Sequence, residues 1–262
     1  FRDQDVGIQL VGNVDNTGKS IYCVDDPNTG ANDPELNCKI VYHDQTNGDL
    51  KFFDCEDANC YTGTTTVVDS TGDVGEDLSV YCLSSTDCKI AYYDVTNSAL
   101  KFYDCDNATC SSGTAQILDG NTGCVLTLGD DPCDTDTESG HYPAIYCPAA
   151  GNCKIAYRDT VGAILNFADC DNATCSSGTI NIVDIGTSCS LTGCITSGQA
   201  EHPNLYCPAA NDCKISVKDG NGDDLRFEDC GDETCNSGTS TLVDGGTSCA
   251  LTGGDGCSTT GD

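Results

Sequence analysis

One frame recurs four times along this chain with no internal gap: Cys-Lys-Ile, an Asp six residues after the Cys, a Leu six further on, then x-Phe-x-Asp-Cys-x4-Cys. The copies occupy residues 38–60, 88–110, 153–175 and 213–235. Self-similarity at this period belongs to propeller blades or stacked modules, because each unit can bury its apolar face only against a neighbour.

Within the second copy and its flanks, four short β-type runs alternate with turn clusters: residues 78–82, 88–94, 100–105 and 114–119, here strands a, b, c and d. Between b and c of the first copy, Thr46-Asn47-Gly48-Asp49 is a hairpin turn signal, since Asn and Gly tolerate positive φ. No segment sustains a 3.6-residue period, which leaves no place for helix. The expected fold is all-β: a four-bladed β-propeller of four-stranded antiparallel blades forming a single domain over 1–262. Its blades run at about 16–69, 70–119, 120–184 and 185–262, and residues 1–15 supply an extra N-terminal strand.

The 22 cysteines fall at strand ends, which pairs them locally. Cys23/Cys38, Cys82/Cys88, Cys147/Cys153 and Cys207/Cys213 face each other across the a–b turns. Cys55/Cys60, Cys105/Cys110, Cys170/Cys175 and Cys230/Cys235 bracket the c–d turns. Cys124/Cys133, Cys189/Cys194 and Cys249/Cys257 lie in the d-to-a connections. Zinc binding by the C-x4-C pairs is disfavoured, because pairs on different blades do not converge. An even, large cysteine count implies an oxidising compartment and a secreted or cell-surface protein. The chain begins at Phe1 rather than Met, as expected after removal of a signal peptide, and no stretch approaches a membrane span.

A net charge of −31 excludes nucleic acid, which needs a basic stripe. Lys39, Lys89, Lys154 and Lys214, and with them Lys51, Lys101 and Arg226, recur at shared positions and read as structural charges paired with carboxylates of the blades.

The frame Tyr-x-Asp-x-Thr-Asn-x-x-Leu-Lys-Phe followed by Asp-Cys-x-Asn-Ala-Thr-Cys, seen at residues 92–110, resembles the sialidase-like (BNR-like) β-propeller repeats of secreted microbial proteins. The resemblance implies the fold. The Asp-box is missing, and Arg2, Arg158 and Arg226 stand at a terminus, on strand b and on strand c, not as a converging triad. His43, His141 and His202 sit in no nucleophile motif, and 42 acidic residues make any single carboxylate pair uninformative. The chain is therefore expected not to be an enzyme and to require no cofactor.

Asp44, Asp94, Asp159 and Asp219 end strand b in every copy, as turn caps would. In the fourth, Asp219, Asn221 and Asp223 approach the spacing that wraps calcium, though without the distal Glu. Asn107-Ala-Thr and Asn172-Ala-Thr are N-glycosylation sequons inside c–d turns.

There are four a-b-c sets but five d-like runs, the surplus being Ile8, Gln9, Leu10 and Val11. This run either closes the ring in cis, belongs to a longer array, or pairs with a second molecule's open sheet edge. The leading expectation is the last: a structural subunit of an extracellular, glycosylated fibril, homopolymerising head to tail by strand donation. The alternative is a secreted module that binds carbohydrate or calcium.

Overall fold

The computed structural model describes residues 14–25, 36–120, 123–128, 131–132, 138–185, 189–195, 198–221 and 224–245. They form β-strands and turns without helix, in four successive antiparallel meanders. Blade 1 comprises β1 (Val14–Asp25), β2 (Leu36–Asp44), β3 (Asp49–Cys55) and β4 (Gly63–Asp69). Blade 2 comprises β5 (Val74–Ser84), β6 (Asp87–Asp94), β7 (Ala99–Cys105) and β8 (Gly113–Asp119). Two short strands, β9 (Thr127–Leu128) and β10 (Asp131–Pro132), precede blade 3, which comprises β11 (Ser139–Ala149), β12 (Asn152–Asp159), β13 (Ile164–Cys170) and β14 (Gly178–Asp184). Blade 4 comprises β15 (Ala200–Ala209), β16 (Asp212–Asp219), β17 (Asp224–Cys230) and β18 (Gly238–Asp244).

Register follows from the repeated frame. Pairing of strands b and c sets each repeated Lys opposite the Asp of the Asp-Cys step: Lys39 faces Asp54, Lys89 Asp104, Lys154 Asp169 and Lys214 Asp229. All four pairs form ion pairs. The strand-end carboxylates cap the b–c turns, with Asp44 Oδ1 accepting from the Thr46 N–H at 3.1 Å and Asp94 Oδ1 from the Asn97 N–H at 2.9 Å.

Cystines close both turns at the other end of each blade. Strand pairing sets Cys23 opposite Cys38 and Cys82 opposite Cys88. These two pairs are bonded, as are Cys147–Cys153 and Cys207–Cys213. The c–d turns carry Cys55–Cys60, Cys105–Cys110, Cys170–Cys175 and Cys230–Cys235. At each c–d turn the second Cys is left-handed, with φ between 49° and 54°, and an Asp or Asn three residues earlier supports it. Asn107 Oδ1, for example, accepts from the Ser111 N–H at 3.1 Å, and Asp57 Oδ1 does the same for Tyr61 at 3.1 Å. The glycine that opens strand d is sterically required, since a Cβ at Gly113 would lie 2.2 Å from the Asp104 carbonyl oxygen.

The d-to-a loops do more than stiffen one end of the molecule. β9 pairs in parallel with β14, so the third sheet has six strands in the order β10-β9-β14-β13-β12-β11. Val125 N–H in the same loop donates to the Ile117 carbonyl of β8 at 2.9 Å. The Cys189–Cys194 loop repeats this: Ser190 N–H donates to Ile182 of β14, and Thr192 bridges Thr239 of β18. These loops thus stitch the outer edge of one blade to the next, because exposed ladder groups at a sheet edge need partners. Cys124 belongs to the first loop, while Cys133, Cys249 and Cys257 lie outside the described residues, as do Ile8, Gln9, Leu10 and Val11.

The core consists of three sandwiches between consecutive blades. Val41, Leu50 and Phe52 of blade 1 meet Val80, Ile90 and two cystines of blade 2. Ala91, Leu100, Phe102 and Leu118 of blade 2 meet Ile145, Ile155 and the cystines of blade 3. Ala156, Leu165, Phe167 and Val183 of blade 3 meet Leu205, Ile215, Val217 and the cystines of blade 4. The same positions recur each time: a face bearing the Leu and Phe of strand c presses onto the next blade's strand-a and strand-b aliphatics and its sulfurs.

Candidate assembly interface

Polar contacts also cross every junction. The Asp that ends strand d takes charge from the following blade: Asp69 accepts from Lys101 Nζ at 2.5 Å and Tyr92 Oη at 2.8 Å, and Asp119 from Tyr157 Oη at 2.6 Å. Asp184 accepts from Arg226 Nε at 2.6 Å. Lys101 and Arg226 are paired as the sequence suggested, each with a shorter contact one blade earlier and a longer one to a carboxylate of its own blade, Asp94 or Glu228. Along the inner strands, Tyr22, Tyr81, Tyr146 and Tyr206 form a ladder with centroid spacings of 4.6, 4.7 and 5.3 Å. Burial, together with the flanking Tyr22 and Tyr146 hydroxyls, raises the Tyr81 phenol above its usual range.

The chain's two ends break the pattern. Leu225 and Phe227 of blade 4 are 44% and 37% exposed, whereas Leu50, Leu100, Leu165, Phe52, Phe102 and Phe167 are 0% exposed. Tyr206, last in the ladder, is 57% exposed. The opposite face is open on blade 1, where Ile21 is 59% exposed while its counterparts Val80, Ile145 and Leu205 are buried. A shallow hollow lined by Lys19, Ser20, Ile21 and Ile40 marks this face. Among the described residues, no packing like that of the three junctions joins blade 4 to blade 1. Among the described residues, blade 4 therefore bears a partly exposed donor face, and blade 1 a partly exposed receiver face, of the same repeated interface.

A second surface feature lies at the far end of the inner strands. Tyr93 stacks on His141 at 3.9 Å, His141 Nδ1 bonds Asp77 Oδ2 at 3.0 Å, and Tyr142 stacks on His202 at 4.2 Å. Arg158 and Lys218 approach Glu201 at 3.9 and 3.2 Å. Pairing with strand b puts His141 opposite Arg158 and Glu201 opposite Lys218, so His141 and His202 are one position out of step and do not meet at a common point. Tyr142 and His202 hold φ values of 50° and 47°, an uncommon conformation for bulky residues.

Of the remaining candidate ligands, Asp219 Oδ1 caps its own turn, accepting from the Asn221 N–H at 3.1 Å and the Gln199 N–H at 2.9 Å. Asp223 lies outside the described residues. Asp184, Cys189 and Cys194 have metal-like spacing, but the two sulfurs are bonded to each other. Asn107 and Asn172 serve as turn caps, each donating from Nδ2 to a serine hydroxyl, Ser112 or Ser177, at 2.8 Å.

No protein-family model matches the sequence, and no curated protein is similar to it. Solved structures similar in backbone arrangement include an exo-β-1,3-galactanase from Phanerochaete chrysosporium bound to β-1,3-galactotriose, with 9% identity and a TM-score of 0.49. That match covers 83% of this chain and 48% of the galactanase, so the chain spans about half its length. A GH93 α-L-arabinofuranosidase of Fusarium graminearum in complex with arabinobiose matches at 8% identity and a TM-score of 0.48, covering 86% of this chain and 68% of that one. A GH43 β-1,3-galactosidase with galactodeoxynojirimycin matches at 8% identity and a TM-score of 0.49, covering 88% and 77%. None of the three is a sialidase, and what holds of the sialidase-like resemblance is the bladed all-β architecture. The expectation that the chain is not an enzyme is corrected by this finding. The structures it is similar to are glycoside hydrolases, so absent sialidase motifs give no ground for excluding catalysis. Likeness at this level assigns no activity to this chain.

Proposed function

We propose that this protein is the structural subunit of an extracellular fibril or surface appendage, joined head to tail with copies of itself. The observation that supports the reading is the pair of uncovered end faces, each a copy of one side of the three internal junctions. Contacts between unlike patches on identical chains propagate, and they end only if the rotation closes a ring. Fully burying an exposed Leu, Ile or Phe side chain stabilises by about 1.5–3 kcal/mol, and the partly exposed Leu225 and Phe227 at one end and Ile21 at the other each stand to gain part of that.

The chemistry of the chain suits that role. Nine cystines among the described residues fit an oxidising compartment, and no described helix is long and apolar enough to cross a membrane. N-glycans at Asn107 and Asn172 belong to the same reading, since both turns lie at the surface beside exposed Ser111 and Ser176. Donation of residues 8–11 to a neighbouring molecule is compatible with it and independent of the end faces. Electron microscopy of the native secreted material tests the proposal. It should show filaments with one four-bladed subunit per repeat and sugar density on Asn107 and Asn172. Dispersed single particles at high concentration would contradict it.

The ring pair Tyr142–His202, flanked by Glu201 and Arg158, favours a second reading as a carbohydrate-binding surface. Sugar rings stack on such aromatic faces while carboxylates take their hydroxyls. Binding on a glycan array that disappears in Tyr142→Ala would support this reading, and a flat response to the unmodified protein would remove it.

A further inference from the structure

Two polar contacts each recur at two of the three internal junctions, at aligned positions. At the first, Lys39 Nζ donates to the Ala108 carbonyl, in the following blade's c–d turn, at 3.1 Å. At the third, Lys154 Nζ reaches Glu233 Oε1 at 3.3 Å, and Glu233 occupies the position of Ala108 in its own turn. Closer to the inner strands, Ser20 Oγ accepts from the Val80 N–H and Ser79 Oγ from the Ile145 N–H, each at 3.3 Å. The tyrosine ladder runs between, with one ring per blade.

Blade 4 carries the same set, and among the described residues no blade besides blade 3 packs against it. Lys214 stands where Lys39 and Lys154 do, yet its side chain is 30% exposed against 0% for theirs. Asn204 replaces the acceptor serine and is exposed, as is Tyr206. Blade 1 carries the counterparts: Ala58, exposed in its c–d turn at the position of Ala108 and Glu233; Ile21, aligned with Val80 and Ile145; and Tyr22, first in the ladder.

Resting on the head-to-tail reading above, we propose that blade 4 of one copy docks onto blade 1 of a second copy in the register of the internal junctions. Lys214 Nζ donates to the second copy's Ala58 carbonyl, Asn204 Oδ1 accepts from its Ile21 N–H, and Tyr206 stacks on its Tyr22. The occupant is a second copy because donor and receiver carry, at the aligned positions, the groups for the tyrosine stack that this chain makes at three junctions and for the two polar contacts that it makes at two junctions each.

Replacing Ala58 with Glu would recreate across the junction the ion pair that Lys154 and Glu233 make within the chain. The site is exposed, so the fold is spared. Self-association of the full chain is measured by sedimentation for the unmodified protein, Ala58→Glu, Lys214→Met and the double variant. Added negative charge on a chain of net charge −31 would by itself weaken association. In the proposed register Ala58→Glu instead tightens it roughly tenfold, and the gain disappears in the Lys214→Met background. A gain equal in both backgrounds, or a weakening with Lys214 present, overturns the register and leaves head-to-tail assembly standing. Association into a closed ring with the predicted coupling supports the junction while contradicting the fibril. An unmodified protein and three variants that all remain monomeric overturn both.

Discussion

Position 228 departs from its own repeat. The equivalent residues are Phe53, Tyr103 and Ala168, yet blade 4 places a fully buried Glu228 there, 3.7 Å from Arg226 Nε. Burial, and then the neighbouring Asp184 carboxylate, push its pKa up to about 9, so the folded protein holds Glu228 protonated at neutral pH. An unfolded chain releases that proton near the ordinary value of 4.5. The sign follows: the contribution to stability is fully present below about pH 4.5 and is lost as pH rises to about 9, at up to ~1.4 kcal/mol per pH unit. Glu228→Gln keeps the shape without the titration. Urea unfolding at a series of pH values should give the variant and the unmodified protein similar stability at pH 4, with the variant increasingly ahead towards pH 9. Parallel curves would show that Glu228 ionises freely in the fold.

Among the elements, the c–d turn is held by several devices at once. It is closed by a cystine, holds a left-handed cysteine, and is capped by Asp57, Asn107, Asn172 or Asp232. The Thr62 hydroxyl and three backbone N–H donors lower the Asp57 carboxyl to about 2. Since Asp serves two of the four turns, Asn107→Asp should preserve stability, whereas Asn107→Ala should lose about 1 kcal/mol in denaturant unfolding. An Ala variant as stable as the parent would show the cap to be idle. The turn and its cystine were legible in the sequence as local consequences of the repeated frame, and the repeated Lys as a structural charge, though not which Asp it faces across strands b and c. The cross-blade pairs were not: Lys101 meets Asp69 across 32 residues and Arg226 meets Asp184 across 42, and no short-range pattern encodes those contacts. The parallel β9–β14 pairing was equally hidden, since two-residue strands leave no periodic signal.

At the scale of the molecule, blade order decides what is covered. Leu225 and Phe227 look identical in sequence to the Leu and Phe of the buried copies, and only the arrangement of blades reveals that they are left partly exposed. The repeat thus told how each blade is made, but not that, among the described residues, the outer faces of blades 1 and 4 form two unlike ends. Those ends make a test possible that no symmetric interface would pass. Leu225→Glu spoils the donor face alone, and Ile21→Glu spoils the receiver face alone, so each variant keeps one working end. Molar mass from light scattering, for each variant and for an equimolar mixture, probes this directly. The account predicts monomers for either variant alone and a one-to-one dimer in the mixture, held by the single intact junction. A mixture that stays monomeric, or a single variant that still assembles, would contradict it.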